Sequence, residues 1–98
     1  MVEHIVLIRF KASAERADRE QILRELAALP DRIPGIVSYR AGFNTSDRGK
    51  GYDAAIRSTF TDQASLDAYG PHPEHQKLAR RLGELSDDIV VSDFRPLS

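Results

Sequence analysis

The chain has 98 residues, 41% of them hydrophobic and 30% charged, with 14 basic side chains against 15 acidic ones and no cysteine. Such a chain is one domain, too apolar for disorder and too balanced in charge to favour nucleic acid or an anionic membrane surface as a partner. Disulfides, thiolate zinc sites and cysteine nucleophiles are excluded, and no apolar run approaches the roughly 20 residues that span a bilayer.

The N-terminal MVEHIVLIRF carries an acid before a short apolar run and lacks a cleavage site, so it does not read as a secretion signal, and the cytoplasm is the expected location. Val2 to Phe10 is almost continuously apolar and β-branched, which predicts a strand covered on both faces. Ser13 is the expected cap of a helix over Ala14 to Leu29, with Ile22, Leu26 and Leu29 at helical spacing and Leu23 and Ala27 beside them. Pro30 and Pro34-Gly35 end it. Ile36 to Asn44 alternates as a second strand, with Val37, Tyr39, Ala41 and Phe43 on one side. TSDRGKG, residues 45–51, has glycines and a lysine but no following Ser or Thr and no helix start. It is a hairpin loop rather than a phosphate cradle. Tyr52 to Phe60 is the third strand, with Tyr52, Ala54, Ile56 and Phe60 sharing a side. Asp62 caps a short helix reaching Tyr69, and Gly70-Pro71 breaks it. A helix restarts at Pro73 with Leu78, Leu82 and Leu85 on one stripe, and Asp88 to Arg95 is the last strand, closed by Pro96.

Strand, helix, strand, strand, helix, strand is the order of an α+β, ferredoxin-like split βαβ unit: four antiparallel strands with the helices on one face. The other face is then a problem. Strands one and four, and the Tyr39/Phe43 side of strand two, offer too few polar residues for it to meet water. A two-fold homodimer, sheet face against sheet face in a barrel-like core, is the expected remedy.

Chemistry concentrates in YGPHPEHQ, residues 69–76. Pro73 suits the first turn of a helix, which puts His72 just before it and Glu74 and His75 inside that turn. The helix dipole favours the Glu74 carboxylate there and disfavours an imidazolium, so His75 is expected to be neutral and able to accept a proton near pH 7. Near a tyrosine hydroxyl, such a base could remove a proton from the carbon next to a carbonyl while the tyrosine holds the enolate oxygen. Each residue also has a plain structural role open to it. His72 can bond a backbone group at the helix start, His4 and His75 can be satisfied half-buried histidines, and Tyr69 can be a core aromatic. His-x-x-His with Glu74 makes a poor metal site, because a proline separates the histidines and no clear fourth ligand is present. Asp93 could anchor His4 or pair with Arg9 or Arg40.

The marks HIVLIRF, IPGI at 33–36, GFN at 42–44, GYDAAIRSTF at 51–60, AYGPHPEHQ at 68–76 and SDF at 92–94 come in an order and spacing that resembles the stress-responsive A/B barrel family, a branch of the dimeric α+β barrels. The resemblance spans nearly the whole chain and is most specific at His4 and in Tyr-x-x-His-Pro-x-His. It implies a homodimeric barrel. Some members are associated with stress responses, and others are polyketide cyclases that work by aldol chemistry without metal or organic cofactor. The resemblance implies a pocket lined by His4, Tyr69 and His75 at the positions used in those cyclases. The cyclases also place a tyrosine on the first helix, near Leu26 here, and this chain has none there. Two expectations follow. One is a cofactor-independent cyclase, lyase or isomerase acting on a hydrophobic carbonyl compound, with His75 as base, Tyr69 as oxyanion partner and His4 as an orienting or second acid-base group. The other is a non-catalytic, stress-related protein that binds a hydrophobic small molecule or protects.

Overall fold

A computed structural model describes residues 1–98. Four strands, β1 (Val2–Phe10), β2 (Ile36–Phe43), β3 (Ala54–Phe60) and β4 (Ser86–Phe94), form one antiparallel sheet in the order β2-β3-β1-β4. Three helices, α1 (Arg16–Ala27), α2 (Gln63–Tyr69) and α3 (Pro73–Leu85), and a 3-10 turn at Leu29–Asp31 complete the chain. This is the expected ferredoxin-like α+β fold. The molecule measures 36 × 31 × 17 Å, and its thin axis holds the sheet and one helix layer, leaving the second sheet face open. No helix is long and apolar enough to cross a membrane.

Alternation divides the side chains of β1 between the two faces of the sheet. Val2, Val6, Ile8 and Phe10 are buried beneath the helices with Ala54, Ile56 and Phe60 of β3. Ile22, Leu23 and Leu26 of α1 and Leu78 and Leu82 of α3 cover them. Arg81 of α3 reaches Glu25 of α1 at 2.6 Å and ties the two helices together.

Four expectations shift in detail. The first helix begins at Arg16, and Ser13 does not cap it. A turn from Lys11 to Ala14 closes first, and the Arg19 guanidinium folds back to donate to the carbonyls of Lys11 and Ala14, both at 2.9 Å. Tyr52 lies outside β3 and off the helix side: its hydroxyl donates to Asp88 at 2.5 Å, beneath the Arg9 guanidinium. Strand β4 starts at Ser86 because α3 runs straight into it with no loop. The largest shift concerns Tyr39 and Phe43, which lie under the helices and not on the open face. A register irregularity between Ile36 and Ser38 turns Val37 outward, where it is 50% exposed, so the apolar run of β2 does not share one side.

The open face nevertheless carries an apolar strip. Val90, Leu7, Ala55 and Gly42 pair in turn across β4, β1, β3 and β2, and so lie side by side. Leu7 is 38% exposed, Val90 41% and nearby Phe94 48%.

Candidate functional site

The same pairing sets a polar row on the helix side. Asp93 of β4 lies opposite His4 of β1, His4 opposite Ser58 of β3, and Ser58 opposite Tyr39 of β2. One transverse line of the sheet therefore carries carboxylate, imidazole, hydroxyl and phenol. On either side the rows are apolar, Val91–Val6–Ile56–Ala41 on one and Val2–Phe60–Ile36 on the other.

The break between α2 and α3 lies above this line. Asp62 caps α2 by accepting from the Ser65 amide at 2.8 Å, and that bond holds its carboxyl below the usual range. The helix ends at Tyr69, and Pro73 opens the next. His72 is extended and caps α3: its Nδ1 accepts the Glu74 N–H at 3.1 Å. That lone pair is spent on structure. His75, one turn in, donates from Nδ1 to the Gly70 carbonyl at 2.9 Å. A carbonyl oxygen can only accept, so the hydrogen sits on Nδ1 and the neutral ring keeps its lone pair on Nε2. Burial lowers the His75 pKa, the Gly70 bond opposes this, and nearby His4 and His72 lower it further.

His4 is fixed in the same manner. Its Nδ1 bonds the Asp93 carboxylate, leaving Nε2 for other partners. The three open partners for Asp93 thus reduce to one, because Arg9 and Arg40 stand on the opposite face of the sheet. The buried Tyr69 ring meets Phe60 edge-on with centroids 5.0 Å apart, His4 at 6.1 Å and His75 at 4.2 Å.

These groups gather at a cavity of about 220 Å³ between the sheet and α3. His4, Tyr39, Tyr69 and His75 supply its polar groups, and the remaining lining comes from aliphatic side chains including Leu26, Leu82, Ile89 and Val91. The three residues singled out in the sequence therefore share one cavity. Tyr39 joins them unforeseen, with its hydroxyl 3.4 Å from that of Tyr69. Burial raises the pKa of both phenols, so both stay protonated at neutral pH. A lone-pair base, O–H donors and a greasy wall can bind an oxygen-bearing hydrophobic molecule and move a proton on it. No three His, Asp or Glu side chains are gathered to hold a metal ion.

Residues 2–96 match the model of the stress responsive A/B barrel domain. The stress-response A/B barrel domain-containing protein HS1 of Arabidopsis thaliana is 29% identical over 100 residues, covering 99% of this chain and 91% of that protein. Olivetolic acid cyclase of Cannabis sativa is 22% identical over 97 residues, covering 97% and 96%. A dimeric ferredoxin-like protein of unknown function from Jannaschia superposes with a TM-score of 0.85 at 28% identity, over 97% of this chain and 98% of that one. Hydroxynitrile lyase from Passiflora edulis superposes with a TM-score of 0.87 at 25% identity, over 95% and 90%.

Proposed function

Because the chain belongs to the stress responsive A/B barrel domain family, we propose that it is a homodimeric, cofactor-independent lyase or cyclase acting on a hydrophobic carbonyl compound. The observation that carries this reading is the meeting of His4, Tyr69 and His75 at one cavity whose remaining walls, Tyr39 apart, are aliphatic. A cyclase and a lyase among its relatives support it.

The His75 Nε2 lone pair takes a proton from the carbon beside the substrate carbonyl. The C–H electron pair becomes a C=C bond, and the carbonyl π pair moves onto oxygen. The Tyr69 O–H donates to that oxygen as its charge grows. In a cyclase the enolate carbon then attacks a second carbonyl of the same molecule, and the new alkoxide recovers the proton from the His75 imidazolium. In a lyase the same steps run backwards: an alcohol loses its proton, a C–C bond breaks, and the carbanion is reprotonated. Asp93 holds His4 in one tautomer, so that its Nε2 can serve as a second proton carrier.

The dimer reading rests on the open sheet face. The Val90–Leu7–Ala55–Gly42 strip crosses all four strands, and a second copy applied to it closes a barrel.

The test uses 2-octanone in D2O, with loss of its α-protons followed by NMR. Exchange well above the buffer rate that vanishes in His75→Ala is the expected result. Binding of the ketone without accelerated exchange would leave the non-catalytic binding protein as the correct reading.

A further inference from the structure

Two hydroxyls meet in the cavity, and one hydrogen is left over. The Tyr39 and Tyr69 oxygens lie 3.4 Å apart, and neither bonds any other group of the chain. A pair of hydroxyls bonded to each other uses one O–H and leaves the second hydrogen without an acceptor. Neither imidazole Nε2 at the cavity, nor any other acceptor of the chain, is hydrogen-bonded to it. Burial keeps both phenols protonated, so neither can act as an anion to relieve the other.

We propose that Tyr39 is the second hydrogen-bond donor to the substrate's oxygen, so that the tyrosine pair parts slightly to become a two-donor clamp on a carbonyl oxygen. An sp² oxygen has two lone pairs and can accept from both. The two donors come from different layers, Tyr39 from the sheet and Tyr69 from the end of α2. An oxygen held between them is gripped from below and above. The clamp selects ligands with an oxygen that gains negative charge, namely ketones, enolates and phenolates, and rejects ammonium groups, which have no lone pair to accept. Aliphatic walls lower the local dielectric, which strengthens such a clamp. This inference rests on the reading of the cavity as the substrate site.

The experiment titrates 4-nitrophenol, whose phenolate absorbs visible light, into the intact protein. A two-donor clamp stabilises the phenolate, so the bound probe should be more ionised than the free probe at the same pH. Tyr39→Phe should weaken binding about tenfold or more and lower the ionised fraction, as Tyr69→Phe should. A hydroxyl with only a packing role would leave that fraction unchanged. If wild type binds the probe and Tyr69→Phe weakens it while Tyr39→Phe matches wild type, the clamp is overturned and the cavity reading survives. If wild type does not bind the probe at all, both fall. Should Tyr39→Phe fail to fold, the unmutated protein labelled with 3-fluorotyrosine answers the same question. The chain has three tyrosines, and Tyr52 lies on the other side of the sheet as an internal control. Probe addition should shift the Tyr39 and Tyr69 fluorine resonances and leave that of Tyr52 still. A Tyr39 resonance that stays put refutes the clamp.

Discussion

His75 and Gly70 are joined across the break between two helices, the imidazole Nδ1 donating to the carbonyl oxygen at 2.9 Å. This bond fixes which nitrogen is the base, and the burial around it lowers the pKa. A free imidazole titrates near pH 6.5, so below about that value the unfolded chain takes up a proton that the folded chain resists. His75 therefore contributes stability in full above pH 6.5, and the contribution is lost as pH falls from there through the lowered folded value. Urea midpoints between pH 7.5 and 5.5 should fall less in His75→Gln than in wild type. Equal slopes for the two proteins would show that His75 is not held neutral. The acid limb of turnover should likewise sit below pH 6.5.

His72 and His75 share a motif but not a role. The Nδ1 of His72 caps α3, and losing a helix cap costs about 1 kcal/mol. His72→Ala should lower stability by about that amount in urea, His72→Asn should restore most of it, and α-proton exchange should persist in both. A large loss of exchange in a well-folded His72→Asn would move that histidine into the chemistry.

Asp93 fixes the His4 tautomer as a hydrogen-bond acceptor. Asparagine in its place can present N–H to Nδ1 and so move the ring hydrogen to Nε2. Asp93→Asn should then slow exchange by about tenfold or more, with little change in melting temperature, since the carboxylate is partly exposed. An unchanged rate would reduce His4 to a packing residue.

The order of elements could be read from the sequence because alternation and helical spacing are local signals. Pro73 and Asp62 mark helix starts for the same reason: each acts within one turn. Convergence of His4, Tyr69 and His75 was accessible only through the resemblance, since 65 residues separate His4 from Tyr69 and nothing local relates them. Tyr39 was not legible. Which side of a hairpin strand faces the helices depends on register with its partner, and the polar loop between β2 and β3 does not fix that register in the sequence. The irregularity at Val37 then breaks the alternation of β2. The sequence leaves the partner of Asp93 open for a similar reason, because Arg9 and Arg40 are ruled out only once β4 is set beside β1.

Leu7 tests the dimer without touching the cavity. It lies in the middle of the apolar strip, between Val90 and Ala55, and its side chain points away from the helices. In an isolated subunit a charge there meets water and should change stability by about 0.5 kcal/mol or less. Between two sheets the same charge loses its hydration with no opposite charge supplied in return, at a cost of several kcal/mol, and two-fold symmetry imposes it twice. Leu7→Glu should therefore sediment as a folded monomer at concentrations where wild type is a dimer. The Gly42 Cα offers a second probe, because a Cβ added there meets nothing within 4 Å in the single subunit. Gly42→Lys should weaken association while leaving the subunit's circular dichroism intact. If both variants remain dimers, the subunits pair through another surface, and the open face must be explained in some other way.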